Sequence, residues 1–421
     1  MREVKDSGTP WIGEIPSTWA LIRFKDKYKN VKEIARERSV DYERLALTLN
    51  GVVRRPKEDA DGLQPKEFDT YQILKENDFI FKMIDLQNIS TSRVGLSPYT
   101  GLVSPAYIRF TPKEANQYNK FVYYYLMSMY YNCVYNNLGG NGVRSALNAS
   151  DMGEFLIPYP EESEQRKICD FLDLECSKVD SLIANVQAQI EKLKSYKQSL
   201  ITETVTKGID PLAPMKDSGI EWLGTIKDTF AISPIRSIFR IKKDIIGHEP
   251  DTVLSITQNG LKIKNINENE GQMAESYANY QIVNVGDFAM NHMDLITGGV
   301  GISEFEGVTS PDYRVFVKKK EEYSSRYFLY LFEMYYRNKI FYAFGQGAAN
   351  VGRWRLPAQN FNTLAIPVPP VEEQNAIADF LDSKCIAINR LIELKQSKIN
   401  RLIEFKKTLI YECVTGKKEV M

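Results

Sequence analysis

The sequence predicts an α+β fold in which two copies of a mixed α/β domain are separated by a pair of long antiparallel coiled-coil helices. The first observation is a run of apolar residues, spaced alternately by four and three between Phe171 and Lys207, which is the seam of a coiled-coil helix. The second is a matching run between Phe380 and Gly416. The two runs carry the same residues at matching positions: Cys176 and Cys385, Ile183 and Ile392, Leu200 and Leu409. We therefore predict a tandem duplication with pseudo-twofold symmetry.

Composition limits the class of protein. The chain has 421 residues, of which 43% are hydrophobic, enough for two or three packed domains. Lysine plus arginine (54) equals aspartate plus glutamate (54), which argues against a polybasic nucleic-acid binder but permits local basic faces. Five cysteines without a CxxC pair favour reduced thiols and a cytoplasmic location. The charged start predicts no signal peptide, and no apolar run reaches the roughly 18 residues of a membrane span.

Each copy begins with Lys-Asp-Ser-Gly followed by Trp-x-Gly, first in Lys5–Trp19 and again in Lys216–Phe230. We interpret these segments as structured turns. Trp11 and Trp222 are expected to anchor the start of each domain by packing, in preference to contacting a ligand.

Short β-rich runs bounded by Gly, Pro and Asn predict the strands of the first domain. A helix follows at Lys120–Asn132, with an aromatic face that is expected to join the core. The second copy repeats this plan between about Ala231 and Pro367, with small changes of loop length. The predicted strands of the first copy are Leu45–Leu49, Tyr71–Leu74, Asp78–Ile84 and Ala106–Phe110.

Each domain ends in a proline-rich strand, and acidic residues then begin the long helix. Proline stops an earlier helix from continuing, and carboxylates in a first helical turn suit the helix dipole. The predicted domains are residues 1–160 and 211–370, and the predicted helical regions are residues 161–210 and 371–421. If the helices pair antiparallel, we expect the two ends of the chain to meet.

The sequence predicts no catalytic residue, no metal site and no cofactor. His248 and His292 are the only histidines, and neither has a partner at metal-ligand spacing. No glycine-rich phosphate loop and no Gly-x-Ser-x-Gly motif occurs. Ser104–Tyr107 and Ser310–Tyr313 resemble the Pro-Tyr motif of DNA amino-methyltransferases, but the glycine-rich turn of an adenosylmethionine pocket is missing. We interpret both segments as turns.

Basic and glycine-rich loops are the candidate DNA-binding surfaces. Arginine can read guanine through two hydrogen bonds, asparagine and glutamine can read adenine, and glycine lets the backbone approach a phosphate. The alternative is a set of solvated loops whose charges serve solubility. The candidate residues are Arg54, Arg55 and Lys57 in one loop, Asn141 and Arg144 in a second, Lys262 and Lys264 in a third, and Gln346, Asn350, Arg353 and Arg355 in a fourth.

Two divergent domains, each followed by an Ile-Pro-x-Pro segment and a long helix ending near Val-Thr and Gly, resemble the specificity subunit of Type I restriction-modification systems. The resemblance covers the whole chain. One departure is that Val-Thr-Lys-Gly in the first copy stands against Val-Thr-Gly in the second. The residues that carry the resemblance are Lys5–Trp19, Ile157–Asp173, Leu200–Gly208, Lys216–Phe230, Ile366–Asp382 and Leu409–Gly416.

The resemblance implies that the divergent units are target recognition domains, each of which reads one half of a bipartite, asymmetric site in double-stranded DNA. It implies that the helices set the spacing between the halves and bind two methyltransferase (modification) subunits. Methylation and ATP-driven cleavage then belong to partner subunits, including the restriction/translocase subunits, and this chain is not itself an enzyme. Two other functions stay open. One is a coiled-coil scaffold that binds proteins or glycans without touching DNA, and the least favoured is a self-sufficient adenine methyltransferase.

Overall fold

The computed structural model describes residues 2–48, 51–58, 67–84, 86, 93–138, 146–258, 260–265, 274–347 and 354–420. It divides into two compact units. Unit 1 consists of Met1–Gln187 and Ser397–Met421, and unit 2 is Ala188–Gln396. Each unit therefore contains one α/β domain and part of both long helices.

Unit 1 is built from short strands and helices. Its strands are β1 (Val4–Asp6), β2 (Glu14–Pro16), β3 (Ala20–Arg23), β4 (Tyr28–Asn30), β5 (Arg44–Thr48), β6 (Gly51–Arg55), β7 (Gln72–Leu74), β8 (Phe79–Phe81), β9 (Val94–Leu96), β10 (Gly101–Val103), β11 (Ile108–Pro112) and β12 (Leu156–Tyr159). Its helices are α1 (Phe24–Lys27), α2 (Lys120–Tyr131), α3 (Val134–Leu138), α4 (Ala149–Gly153) and the first part of α5 (Glu162–Lys207).

The strands of unit 1 form two four-stranded sheets, in the orders β6-β5-β10-β7 and β4-β11-β8-β9, together with the pairs β1-β2 and β3-β12. The strands predicted around Leu45, Ile73, Ile80 and Phe110 are all present, and the predicted aromatic helix is α2. Buried aromatic side chains from β8, β11 and α2 fill the main core. Short β-rich runs bounded by turn residues, together with aromatic residues at helical spacing, were therefore sufficient to locate these five elements.

Unit 2 repeats the plan. Its strands are β13 (Met215–Asp217), β14 (Thr225–Lys227), β15 (Ala231–Pro234), β16 (Phe239–Lys242), β17 (Leu254–Thr257), β18 (Gly260–Ile263), β19 (Gln281–Val283), β20 (Phe288–Met290), β21 (Val300–Ile302), β22 (Gly307–Thr309), β23 (Arg314–Lys318) and β24 (Ala365–Val368). Its helices are α6 (Ile235–Ile238), α7 (Ser325–Arg337), α8 (Ile340–Ala343), α9 (Ala358–Thr363) and the first part of α10 (Val371–Val414).

The two units share the same plan of strand pairing. The order β16-β23-β20-β21 repeats β4-β11-β8-β9 strand for strand. The second sheet of unit 1 corresponds to the pairs β17-β18 and β19-β22 of unit 2. In unit 1 one parallel residue pair, Arg44 with Leu102, joins β5 to β10, and in unit 2 the equivalent residues Val253 and Val308 form the same parallel bridge. The duplication predicted from the sequence is therefore confirmed in the architecture.

The long helices α5 and α10 are continuous over 46 and 44 residues. Each starts earlier than the heptad run alone indicated, because the acidic segment after the proline-rich strand already forms the first turn, with Glu162 and Glu164 in α5 and Glu372 and Glu373 in α10. The seam residues of both helices are buried or half-buried.

Contacts within each unit show that the helices pack antiparallel. In unit 1, Lys406 of α10 pairs with Asp180 of α5 at 2.7 Å. In unit 2, Lys395 donates to Gln189 at 2.6 Å, and Lys197 donates to Asn389 at 3.0 Å. The partner's number falls as the α5 number rises, which confirms the predicted antiparallel pair.

A repeated polar contact fixes each aromatic helix to a long helix. In unit 1, the hydroxyl of Tyr124 donates to Asp173 at 2.6 Å, and Lys120 pairs with the same carboxylate. In unit 2, the hydroxyl of Tyr330 donates to Asp382 at 2.7 Å, and Arg326 pairs with the same carboxylate at 2.5 Å. The α/β domains are thus attached to the helices through equivalent side chains.

The two predicted anchoring tryptophans pack as expected, but each is only partly buried. Trp11 is only partly buried against the first core, and Trp222 is 38% exposed with its ring edge-on to Phe344. The fully buried anchor of unit 1 is Trp19, whose indole N–H donates to Glu164 at 3.0 Å. In unit 1, Trp19 therefore provides more of the packing near the start of the domain than Trp11 does.

Among the described residues, no helix combines the length and the apolar character needed to cross a membrane.

Candidate nucleic-acid interface

Two equivalent β-hairpins carry most of the predicted DNA-binding residues that the structure describes. Hairpin 1 is β5-β6 and hairpin 2 is β17-β18. Each is held by apolar residues on one face, Leu45 and Leu47 in the first and Leu254 and Ile256 in the second, which are buried in a small core. Because side chains alternate along a strand, the opposite face is left for polar residues.

Arg55 and Lys264 occupy the same position in the two hairpins. Arg55 lies opposite Arg44 in the register of hairpin 1. The backbone N–H of Lys264 donates to Val253 at 2.8 Å, and Val253 is the counterpart of Arg44. Arg55 and Lys264, which come from different loops, therefore occupy equivalent positions in the two units.

The other candidates of hairpin 1 make contacts inside unit 1. Arg54 is exposed, pairs with Glu43 at 3.2 Å and lies over the ring of Tyr99 at 4.4 Å. The ammonium group of Lys57 donates to the carbonyl of Ser39 at 2.8 Å. These contacts hold both side chains in defined directions at the edge of a cleft of about 470 Å³.

Hairpin 1 also contains an arginine that the sequence analysis missed. Arg44 lies directly opposite Arg55, and like charges at facing positions repel. One terminal nitrogen of Arg44, Nη1, is buried without a hydrogen-bond partner. A phosphate oxygen is the type of acceptor that two facing guanidinium groups bind well. Only the strand register brings Arg44 and Arg55 together, so the pattern of charges along the sequence gave no signal.

Lys262 completes the basic face of hairpin 2. It pairs with Ser255 across the hairpin and is exposed, and it shares a face with Lys264 because the two are separated by one residue. The corresponding position of hairpin 1 is Val53. The two hairpins thus share a backbone and one cation, and differ in the side chains around it.

Four of the six candidates of the glycine-rich loops lie outside the described residues: Asn141, Arg144, Asn350 and Arg353. The ends of these loops are described. The residues that follow them are fixed by the same backbone contact in both units: Leu147 N–H donates to Met83 at 3.1 Å, and Leu356 N–H donates to His292 at 2.9 Å.

In unit 2, Gln346 and Arg355 bond to each other through both backbone groups, at 2.8 and 3.1 Å. We call this contact the Gln346–Arg355 bridge. It brings the two described candidates of the fourth loop together at the loop's base.

A cluster of basic groups lies beside the Gln346–Arg355 bridge. Arg314 is buried and donates from Nη2 to the carbonyl of Leu356 at 2.8 Å. Burial, together with the charges of Arg314 and Arg355, lowers the pKa of His292 to about 4, so its imidazole is neutral at pH 7. Burial also lowers the pKa of Arg314 to about 10, which still leaves the guanidinium charged.

A second basic region of unit 2 lies next to the turn of hairpin 2. A cleft of about 630 Å³ is lined by Lys194 and Lys197 from α5, Arg337 from α7, and polar side chains that include Gln258. Burial raises the pKa of Glu333 in the same cleft. The cations come from elements far apart in the sequence, and therefore no local pattern predicted the cluster.

The Ser-Pro-x-Tyr segments are turns, as predicted. In unit 1, the buried amide of Gln72 donates to the carbonyls of Ser104 and Tyr107 at 3.0 and 2.7 Å. In unit 2, Gln281 makes the same two bonds at 2.7 and 2.6 Å. These glutamines use the backbone carbonyls of the segment to hold a turn. Within the described part of the chain, no cluster of His, Cys, Asp and Glu is arranged to hold a metal ion.

Comparison with known proteins identifies a family. The model of the Type I restriction modification DNA specificity domain matches residues 27–195 and 255–404, one region in each half of the chain. In Methanocaldococcus jannaschii, the putative type I restriction enzyme MjaX specificity subunit is 24% identical over 431 aligned positions, covering 92% of this chain and 90% of that protein. The type I restriction enzyme MjaVIII specificity subunit of the same organism is 26% identical over 260 positions, covering 58% of this chain and 57% of that protein.

One solved structure has a similar fold. It comes from work on the complex assembly and conformational transition of the type I R-M system, and it matches with a TM-score of 0.65 at 12% identity, covering 96% of this chain and 99% of that one. At this level of identity the match concerns the fold alone.

Proposed function

The chain belongs to the Type I restriction modification DNA specificity family, and we propose that each of its two α/β domains reads one half of a bipartite, asymmetric site in double-stranded DNA. The family is a recognition module and its members named above are specificity subunits, so this chain is a specificity subunit and not an enzyme. In this proposal methylation and cleavage are carried out by partner subunits. The DNA target implies a cytoplasmic location.

The observation that carries the proposal is the pair of equivalent hairpins with different basic side chains. Arg55 and Lys264 share a position, whereas Arg44 corresponds to Val253 and Val53 corresponds to Lys262. A common backbone offers DNA the same approach in both units, and different side chains favour different base sequences. This combination supports an asymmetric site with two unlike halves.

The other predicted DNA-binding residues complete the proposed surfaces. Lys57 extends the hairpin 1 surface beyond Arg55. Arg54 lies opposite Leu45 on the other face of hairpin 1, and we propose that it contacts DNA from the edge of that face. Gln346 and Arg355 form the base of the glycine-rich loop of unit 2. The four loop residues outside the described part of the chain remain candidates for base contacts. The repeated attachment of both loops to the strand ends supports equivalent roles for them in the two units.

We propose that α5 and α10 set the spacing between the half-sites and bind two modification subunits, through which the restriction/translocase subunits join the complex. Both helices are uninterrupted, as a spacer of fixed length requires. Several large apolar side chains remain exposed on them, and apolar surface of this kind favours burial by a partner. The most exposed are Leu174 and Phe405 in unit 1 and Tyr196, Ile386 and Leu394 in unit 2.

A salt titration of DNA binding tests the proposal. The chain, copurified with its modification subunits, is titrated onto duplexes carrying the methylated motif found by sequencing host DNA. We expect tight binding that weakens steeply with salt, because each phosphate contact adds about 0.9 to the slope of log affinity against log salt. A coiled-coil scaffold without a DNA function explains the helices equally well, and it would show neither a host motif nor this salt dependence.

Single substitutions separate the two surfaces. Arg55→Ala is expected to weaken recognition of one half-site and Lys264→Ala of the other, each by roughly 1–3 kcal/mol if the side chain contacts a base. Lys178→Ala is the matched control, because Lys178 is an exposed cation on α5 that already pairs with Glu175 at 2.8 Å. Equal losses for all three variants would contradict the assignment of the hairpins.

A further inference from the structure

Arg314 is a buried cation whose surroundings do not neutralise it. It begins strand β23 and is 5% exposed. Its guanidinium lies over the ring of Phe361 at 4.8 Å, and among the described residues no carboxylate forms an ion pair with it. Its Nη1 atom is buried without a hydrogen-bond partner. A buried charge in this state costs stability, so packing alone does not account for an arginine here.

The contacts that Arg314 does make lead to the Gln346–Arg355 bridge. Nη2 of Arg314 donates to the carbonyl of Leu356 at 2.8 Å, and the N–H of Leu356 donates to the carbonyl of His292 at 2.9 Å. Both backbone groups of Leu356 are therefore held. Arg355 is the residue immediately before Leu356, so these two bonds fix where its backbone meets the core.

We infer that Arg314 is a positioning residue for the second half-site: it holds Leu356, and through Leu356 the direction of Arg355, without contacting DNA itself. The inference rests on the proposed function, because it assigns Arg355 to DNA reading. A guanidinium suits the role, since it can donate to a carbonyl while its flat face packs on an aromatic ring. A methionine of similar length keeps the packing and loses the donor.

Unit 1 has no equivalent clamp at this position. In the shared sheet, Met290 pairs with Arg314, whereas the corresponding Phe81 pairs with Ile108. Leu147 in unit 1 keeps the backbone bond to Met83, but the side chain opposite Phe81 is an isoleucine. A substitution of Arg314 should therefore affect only the half-site read by unit 2.

The test compares discrimination at the two half-sites. The chain with its modification subunits is titrated onto three duplexes: the host methylation motif, the motif with the first half scrambled, and the motif with the second half scrambled. For Arg314→Met we expect the affinity ratio for the half read by unit 2 to fall about fivefold or more, with the other ratio unchanged. Arg314→Lys keeps a donor and a charge, and it should restore part of the ratio.

Lys242→Met provides the matched control. Lys242 is a similarly buried cation on the neighbouring strand of the same sheet, where it pairs with Val315 across the strands, but its side chain bonds to Asp287 at 2.6 Å and not to Leu356. This variant should lower the melting temperature and leave both ratios unchanged. A ratio gives the same value whatever fraction of the protein is folded, so simple destabilisation does not imitate the effect.

Three outcomes would overturn the inference: an unchanged ratio in Arg314→Met, an equal loss at both halves, or the same selective loss in Lys242→Met. If the wild-type complex itself showed no discrimination at either half, the proposed function would fail instead. The two failures are thus distinguishable.

Discussion

At the scale of single residues, the two α/β domains neutralise the same buried carboxylate from different strands. Asp78 and Asp287 precede the equivalent strands β8 and β20. Asp78 pairs with Arg109 of β11 at 2.6 Å, whereas Asp287 pairs with Lys242 of β16 at 2.6 Å. The domains therefore kept the carboxylate and changed the source of the cation, which a comparison of the two copies position by position does not detect.

Removing Arg109 should destabilise unit 1 strongly. Arg109→Met leaves the carboxylate of Asp78, which is 1% exposed, without its cation, and this is expected to lower the free energy of unfolding by about 3–5 kcal/mol. Urea-induced unfolding measures the change. Lys25→Met is the control, because the pair of Lys25 with Glu154 is exposed and should contribute less than about 1 kcal/mol. Similar losses in both variants would contradict this reading of the buried pair.

His292 predicts a pH dependence of stability. Its pKa is about 4 in the folded chain against 6.5 ordinarily, so between these values the unfolded chain binds a proton that the folded chain does not. Stability from this group is therefore present above about pH 6.5 and is lost as the pH falls toward 4. The loss of melting temperature between pH 7 and pH 4.5 should be smaller in His292→Gln than in wild type. Equal losses would show that His292 is not the source.

The candidate site was predictable from the sequence only in part, for a physical reason. Arg55 and Lys264 each follow an Asn-Gly turn within a basic segment, so the sequence alone identifies both as candidates. The pairing of Arg44 with Arg55 depends on strand register, and the role of Arg314 depends on a contact with the distant Leu356. Local patterns carry no information about such long-range contacts.

At the scale of elements, polar residues interrupt the apolar seam of the long helices. Lys197, Lys395 and Lys406 occupy seam positions, and each bonds to a polar side chain of the other helix. Polar groups at such positions favour the register in which they are paired, since a shift would leave them facing apolar neighbours. The helices were predictable because their period is regular. Their starts, at Glu162 and Val371, were indicated by the acidic residues that follow each proline-rich strand, because carboxylates suit the first turn of a helix.

A deletion of one heptad tests the spacer. Removing residues 184–190 and 393–399 keeps the seam in phase, and it shortens each helix by about 10 Å. We expect the gap in the methylated motif to shrink by about three base pairs, at 3.4 Å each, while both half-site sequences stay the same. Duplicating the same residues should lengthen the gap by a similar amount. Unchanged gaps in both variants would rule out the spacer role.

At the scale of the whole molecule, the duplication made the architecture predictable. Each copy supplies one α/β domain and one long helix, and the unit cores mix the copies. The core of unit 1 includes Leu409 and Cys413 from the end of α10, and the core of unit 2 includes Ile201 and Val205 from the end of α5.

An exchange of domains tests the division of labour. Replacing residues 1–160 with the equivalent region of another family member should change one half of the methylated motif, because the hairpin 1 surface lies wholly within that region. The half read by unit 2 and the gap should stay as they are. Sequencing of methylated DNA from cells that carry the hybrid gives the answer. A change in both halves, or in neither, would contradict the assignment.

The way the chain passes through the two units also has a consequence for synthesis on the ribosome. Unit 2 is one continuous stretch, whereas unit 1 is interrupted by it and resumes only at Ser397. The residues of α10 that complete the first core therefore emerge after the whole of unit 2, a delay of roughly 10–40 s at ordinary elongation rates. During that interval the first domain exposes the apolar surface that Leu409 and Cys413 later cover. The domain that is made first is the last to be completed.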